Sequence, residues 1–345
     1  MLAASAAAVA LLAAACGATH GRPGAAAAPA YRPRGTLLVE TGGFRSRLIS
    51  YRLPSGPERD FNEPDFGGFF QNFEGAFWGP RGTAYVLLPV NFGPLGQSQL
   101  FQLSLTAEAR DVGGLLSIPF GGILEVRGDR AASWGCFRNR RSIYVLDLSA
   151  GGDWRPVATG CSAALAPDGK EMAYFDEGSL FRMSLPNGRP ERLLSMGSVP
   201  GLKAAGIPRI PSGSVSIAWG PGGISLFGGT RNAWALVVYR PGHPPITVPL
   251  GSSTPQSMVW QPQGRLLGFS DYVASSQTIE VRLLDTATGA ISQVAVTQNY
   301  GRFQWSPDGR VLAVGRSSQV ISFIDLQGRV LATNAAGGLP DAWIP

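Results

Sequence analysis

Apolar residues in this chain fall in short runs and alternations, separated by turn residues. Leu48-Ile49-Ser50-Tyr51-Arg52-Leu53, Leu100 to Leu105, Ile143 to Leu148, Ala235 to Tyr239, Ile279 to Leu284 and Val320 to Ile324 are rich in β-branched and aromatic side chains. Segments of this kind predict half-buried strands. No stretch carries a helical period with caps, so the pattern predicts an all-β chain. The turns between the strands repeat as well. In residues 160–194 an apolar approach to Leu165 is followed by the turn Pro167-Asp168-Gly169 and strands over Glu171 to Phe175 and Ser179 to Leu185. A second turn, Pro186-Asn187-Gly188, leads to a last strand ending at Leu194. Pro presets φ at the first turn position, Asp suits the next, and Gly accepts the positive φ that closes the turn. Residues 301–333 and 256–296 repeat this order, with Leu326-Gln327-Gly328 and Ala287-Thr288-Gly289 as second turns.

The first strand of each unit runs into a recurrent W-x-P-x-G. Its copies are Trp78-Gly79-Pro80-Arg81-Gly82, Trp219-Gly220-Pro221-Gly222-Gly223, Trp260-Gln261-Pro262-Gln263-Gly264 and Trp305-Ser306-Pro307-Asp308-Gly309. Leu165-Ala166-Pro167-Asp168-Gly169 and Tyr31-Arg32-Pro33-Arg34-Gly35 are weaker copies. From Trp219 to Trp260 to Trp305 the steps are 41 and 45 residues, and Trp78 to Leu165 is 87, twice that unit. A period of this length with strands in each unit predicts a β-propeller. With a degenerate anchor near Glu125 to Arg130, the anchors count seven blades, six or eight being the alternatives. The chain ends Leu339-Pro340-Asp341-Ala342-Trp343-Ile344-Pro345, an inner strand cut off at its turn. That strand is expected to complete the N-terminal blade, so that the propeller spans 35–345 and the ring leaves no open edge.

Composition then narrows the setting. Gly 46 and Pro 27 in 345 residues suit many short strands joined by turns in one domain. The net charge of +6 rests on arginine, Lys170 and Lys203 being the only lysines. No basic run exceeds Arg138-Asn139-Arg140-Arg141, which sets a nucleic-acid partner aside; anionic lipid or wall polymer stays compatible with a basic surface. Leu2 to Ala15 is an apolar, alanine-rich run that fits the core of a secretory signal better than a membrane span. It ends in small residues before Cys16-Gly17, which resembles a lipoprotein signal with Cys16 as the acylated residue. No Lys or Arg precedes the run, a departure from that pattern. Residues 17–34 then read as a tether. This places the propeller outside the cytoplasm, anchored to the cell membrane by lipid.

Alternation puts the second-to-third-strand and blade-to-blade connections on one face of the ring. The long ones are Asp60 to Ala76, Pro89 to Ser98, Asp111 to Gly121, Cys136 to Ser142, Met196 to Gly213, Gly228 to Ala233 and Ser270 to Gln277. Loops gathered on one rigid face are where binding usually resides. Phe66, Phe69, Phe70 and Phe73 in the first of them either form a binding surface or plug the channel mouth. Arg138, Arg140, Arg141, Arg231 and Arg302, with Lys203 and Arg209, would make this face basic. Catalytic groups are few, and no catalytic residue, metal ligand or cofactor is expected. His20 lies in the tether and His243 in a turn of the opposite face, so a Ser-His-Asp triad or a His-ligated metal is not foreseen. Asp147, Asp285 and Asp325 recur at the ends of third strands and read as turn formers. Cys136 and Cys161 remain after Cys16; they fall at one height on adjacent blades and are expected to form a disulfide.

The Leu165 and Trp305 units, with Pro-Asp-Gly followed by an apolar strand, resemble the WD40-like repeats of TolB-type propellers. The resemblance covers about 31–345 and implies the fold, without a specific function. TolB itself carries an α/β domain before its propeller, which the residues before 31 do not match, so its partners are not carried over. The sequence reading is a monomeric envelope lipoprotein whose propeller is a binding or scaffold module, its partner an envelope protein or an anionic wall polymer. The alternative is a propeller hydrolase or lyase using acidic residues on the loop face.

Overall fold

The computed structural model describes most of Arg32–Pro345. Residues 1–31, 42–46, 62–75, 79–82, 92–96, 105–109, 115, 118–122, 138–139, 208, 212–214, 231, 299–300, 318–319 and 335–337 lie outside the described set. Seven antiparallel sheets follow one another around a ring, which makes the chain a seven-bladed β-propeller and disposes of six or eight. Blade 6 shows the plan, with strands Thr254–Trp260, Leu266–Val273, Thr278–Asp285 and Ile291–Thr297 from the axis outward. Its register pairs Trp260 with Leu267 and Leu266 with Asp285. The inner strands of blades 3, 4, 5 and 7 are Ile123–Arg127, Ser162–Leu165, Val215–Gly220 and Phe303–Trp305. Blade 2 starts with Ala76–Trp78 and is the irregular one. Two short pieces, Arg110–Asp111 and Leu116–Ser117, pair with its third strand Gln97–Leu103.

Closure is as expected. Leu339–Ile344 pairs with Gly35–Thr41 as the inner strand of blade 1, with Leu37 opposite Trp343. The repeat motif is thereby assembled from both chain ends. Trp343-Ile344-Pro345 comes from one end and Arg34-Gly35 from the other, and the Trp343 indole donates to the Arg34 carbonyl at 2.9 Å. Gly35 has φ +98°, and a Cβ there would sit 1.9 Å from the Ile344 carbonyl oxygen. Only glycine fits.

The spacing of the Trp anchors has a physical cause. The Trp305 Nε1–H donates to the Val259 carbonyl at 3.0 Å, and the Trp260 Nε1–H to the Ala218 carbonyl at 3.3 Å. Each acceptor is the residue just before the anchor of the preceding blade, so each indole stitches one inner strand to the last. A Cβ on Gly220 would meet the Trp260 ring at 2.1 Å, so glycine in the blade 5 turn leaves room for the indole of blade 6. The core lies between blades. Phe227, Leu236 and Val238 of blade 5 pack against Trp260, Leu267 and Phe269 of blade 6, and equivalent layers recur around the ring. Burial of these faces on both sides of each sheet is the main stabilising term. At the outer turns, Asp325 Oδ1 accepts from the Gln327 and Arg329 amides at 3.0 and 2.8 Å. Asp285 Oδ1 accepts from Ala287 at 2.9 Å and Asp147 Oδ1 from Ser149 at 3.1 Å. These recurrent aspartates do form turns.

Three expectations about loops are corrected. Cys136 to Ser142 and Gly228 to Ala233 are not long connections. Strands run to Phe137 and Thr230 and resume at Arg140 and Ala233, because polar side chains at a hairpin end do not prevent backbone pairing. Met196 to Gly213 contains a helical turn, Pro200–Ala204, in a chain with no helical period. Met196, Val199, Leu202, Ile207 and Ile210 bury themselves with the blade 4 and blade 5 core, so apolar content, not periodicity, fixes this segment. The third-to-fourth-strand connection of blade 3, Leu148 to Trp154, is also long, although the long connections were expected on the other face.

Candidate functional site at the loop-bearing face

Second strands end and inner strands begin at the loop-bearing face, and three groups of polar side chains gather there. The first spans blades 7 and 1. Arg302, just ahead of the blade 7 inner strand, donates through Nη1 to Glu40 Oε2 at 2.7 Å and to Asp341 Oδ1 at 2.8 Å. Glu40 ends the second strand of blade 1, and Asp341 sits in the closing strand. The Arg302 side chain is 41% exposed, whereas that of Asp341 is 4% exposed, so the cluster shows its cation and hides its acids. Asp341 Oδ2 is buried without a hydrogen-bond partner. Burial holds the Asp341 carboxyl at about 7, the attraction of Arg302 notwithstanding.

The second group joins blades 3 and 4. Cys136 and Cys161 form a disulfide with Cα atoms 4.9 Å apart. Beside it, Arg141, opposite Cys136 in the register, reaches Asp176 Oδ1 at 2.9 Å and Glu177 Oε1 at 3.4 Å on the next blade. The third lies within blade 6. Asp271, wholly buried, holds Arg282 through Oδ1, with Nε at 3.1 Å, and the guanidinium carbon lies 4.9 Å above the Phe269 ring. Asp271 Oδ2 is also buried and unpartnered.

On the opposite face, a cavity of about 230 Å³ opens between the outer part of blade 3 and the Pro186-Asn187 turn of blade 4. Arg130, Asp147, Asp153 and Arg155 line it, and Arg130 stands 3.5 Å from Asp147. The cavity thus carries both signs of charge beside the apolar Val145, Val157 and Pro186.

Of the residues singled out in the sequence, Arg141 and Arg302 are brought to the loop-bearing face, and both are engaged by carboxylates of a neighbouring blade. Arg140 begins a strand there. Cys16, Phe66, Phe69, Phe70, Phe73, Arg138 and Arg231 lie outside the described residues. Sequence reasoning passed over Glu40, Asp341 and Asp271. Asp341 carried a readable signal, since it interrupts an otherwise apolar position two residues before the anchor, held elsewhere by Ile217, Met258 and Phe303. Among the described residues no group of three or more His, Cys, Asp or Glu is placed to hold a metal ion. Among them, too, no helix is long and apolar enough to cross a membrane.

No family model matches the chain, and no curated protein does. Solved structures match at the level of fold. A candidate 6-phosphogluconolactonase from Bacteroides uniformis is 13% identical with a TM-score of 0.53, covering 89% of this chain and 97% of that one. A protein from Lactobacillus plantarum is 13% identical with a TM-score of 0.53, covering 90% and 98%. A chain of a mitotic checkpoint complex is 14% identical with a TM-score of 0.53, covering 86% and 88%. TM-scores of this size at identities this low show a shared fold alone.

Proposed function

We propose that this chain is a lipid-anchored, extracytoplasmic propeller that acts as a binding or scaffold module at the cell envelope. It works as a monomer, engaging an envelope protein or an anionic wall polymer through its loop-bearing face. The observation that carries the reading is that, among the described residues, the ion pairs between blades and the disulfide lie at one end of the ring. The disulfide, the Arg141 pair and the Arg302 cluster all fasten neighbouring blades at the face where Phe61 ends the outer strand of blade 1 and Ser195 that of blade 4. A platform held rigid at one rim suits loops that must keep their geometry when a partner docks. Cys16 supplies the anchor, because the multiply acylated cysteine of a lipoprotein binds membrane firmly where one chain would not.

The test has two arms. Cys16→Ala should move the protein from the membrane to the soluble fraction; unchanged fractionation removes the anchor from the reading. Replacing Phe66, Phe69, Phe70 and Phe73 together by Ser should abolish co-sedimentation with purified anionic wall polymer, or in-cell crosslinking to an envelope protein. If neither partner is lost, the loop-face assignment fails.

A hydrolase or lyase reading draws on one specific feature, the two carboxylates Glu40 and Asp341 converging on Arg302. A buried acid titrating near neutrality is a known device for general acid–base chemistry. Turnover of a lactone or glycoside that disappears in Asp341→Asn would favour it over the binding reading.

A further inference from the structure

Between blades 7 and 1 the ring closes, and at this seam two repeat positions change character. Two residues before the anchor, Ile217, Met258 and Phe303 give way to Asp341, with Ala163 in the Leu165 copy. Three residues before it, Ser162, Ser216 and Ser257 give way to Arg302. The first position faces the adjoining blade, where Phe303 is fully buried, so Asp341 puts a carboxyl into a buried layer. Glu40 and Asp341 draw on the same guanidinium nitrogen of Arg302, and the second oxygen of Asp341 has no partner. One cation therefore faces two acids. With both ionised, the cluster keeps an uncompensated negative charge where burial penalises it, and a single proton removes that charge.

We propose that the closing seam is a proton-binding latch, in which Asp341 carries a proton while the ring is tightly closed and its loss loosens the closing strand from blade 7. The place of the cluster gives it this leverage. Leu339–Ile344 meets blade 7 through noncovalent contacts: the Arg302 cluster, Gln304 Nε2 donating to the Asp341 carbonyl at 2.7 Å, and the Phe323–Trp343 ring contact at 5.3 Å. Among the described residues the charged groups around Asp341 are few. Glu40 faces it from the second strand of blade 1 and Arg302 from blade 7. The second strand of blade 7, Val311–Ser317, contributes only Arg316, which is exposed, and Ala76–Trp78 of blade 2 brings no titratable residue.

The sign follows from linkage. Burial raises Asp341 from 3.8 to about 7, so between those values the folded chain holds a proton that the unfolded chain has lost. Stability from this group is therefore greatest at low pH, falls as pH rises through that window, and levels off above about 7. Asp147 behaves oppositely. The Ser149 hydroxyl holds it below the usual carboxylate range, so its contribution is present at neutral pH and is lost as pH falls through that range.

Amide hydrogen exchange of the full chain, corrected for intrinsic base catalysis, reads opening at Leu339–Ile344, with Gly223–Thr230 of blade 5 as internal control. Opening of the closing strand should increase by up to about tenfold per pH unit between about pH 5 and pH 7, while the control stays flat. Asp341→Asn, uncharged and of the same shape, should hold opening at its low-pH level at about pH 8. Persistence of the increase in Asp341→Asn, or an equal increase in both strands, overturns the proposal. So does flat exchange of the closing strand in the wild-type chain, a result that needs no variant to fold.

Discussion

Blades 5 to 7 and the seam between blades 3 and 4 solve one packing problem with different chemistry. In the first region the repeat supplies the fastening, an indole reaching one blade back to a backbone carbonyl, as Trp260 and Trp305 do. Blade 4 carries Leu165 at the anchor and has no indole to send. There the Leu165 amide donates to Glu125 Oε2 of blade 3 at 2.8 Å, and the disulfide and the Arg141–Asp176 pair add cross-seam bonds at the loop-bearing end. Burial raises the Glu125 carboxyl, as for an acid doing an indole's work in an apolar layer. The seam between blades 7 and 1 departs from the relay in another way. The Trp343 indole bonds within its own blade, and Gln304 donates in the reverse direction, to Asp341. The indole relay is indifferent to pH and redox state. The fastenings that replace it depend on both, so a ring of one repeat acquires seams of unequal sensitivity.

The largest effect is expected from the closing strand. Deleting Leu339 to Pro345 removes the inner strand of blade 1 and exposes two sheet edges. Calorimetry should then show loss of the cooperative transition, and light scattering should show aggregation. Melting like that of the full chain would mean that other residues supply the inner strand.

Next comes the indole relay. Trp260→Ala empties a buried site and should cost about 3 to 5 kcal/mol in urea unfolding. Trp260→Phe keeps most of the packing and loses the hydrogen bond, and should cost more nearly 1 kcal/mol for that bond, beyond any packing misfit. Equal losses in both variants would show that the indole N–H matters more than its ring.

Smaller, and specific to the other seam, is the disulfide. Replacing Cys136 and Cys161 by Ser opens a loop of 25 residues and should cost about 3 kcal/mol. Thiol titration of unfolded, unreduced, Cys16-free protein should find no reactive thiol; two would reject the bridge. The smallest effect is expected from Arg141→Gln, below about 1 kcal/mol, because a third of that side chain is exposed. Its cost should grow in the cysteine-free background, where the ion pair is left as the remaining clamp at that end of the seam. Strict additivity in urea unfolding would show that the two act independently.

Much of the architecture was legible because propeller geometry imposes a period on the chain. Anchors at Trp219, Trp260 and Trp305, and the Pro-Asp-Gly turns behind them, mark where each inner strand ends. Leu339 to Pro345, one more copy of the anchor strand, pointed to the blade that begins at Gly35. Loop behaviour was less legible. Arg138 and Arg231 suggested open loops, but the strands flanking them extend, since pairing is a backbone property. The segment after Met196 looked like an exposed loop, yet Leu202, Ile207 and Ile210 found a buried layer between blades 4 and 5. Of the candidate site, the sequence pointed to Arg141 and Arg302 as surface cations. It did not show that each would be met by acids of the neighbouring blade.

The sequence by itself determined the strand content, the blade count, the closure by the C-terminal strand and the turn-forming role of Asp147, Asp285 and Asp325. All of these follow from local propensity and a repeat that one chain must satisfy throughout. Only the tertiary structure decided which charges meet. Glu40 and Arg302 are 262 residues apart, and they touch because ring closure lays the two ends of the chain against each other. The state of Asp341 is likewise a tertiary fact. Its burial depends on two blades packing against each other, and a linear sequence carries no information about that environment except the interruption of an apolar position.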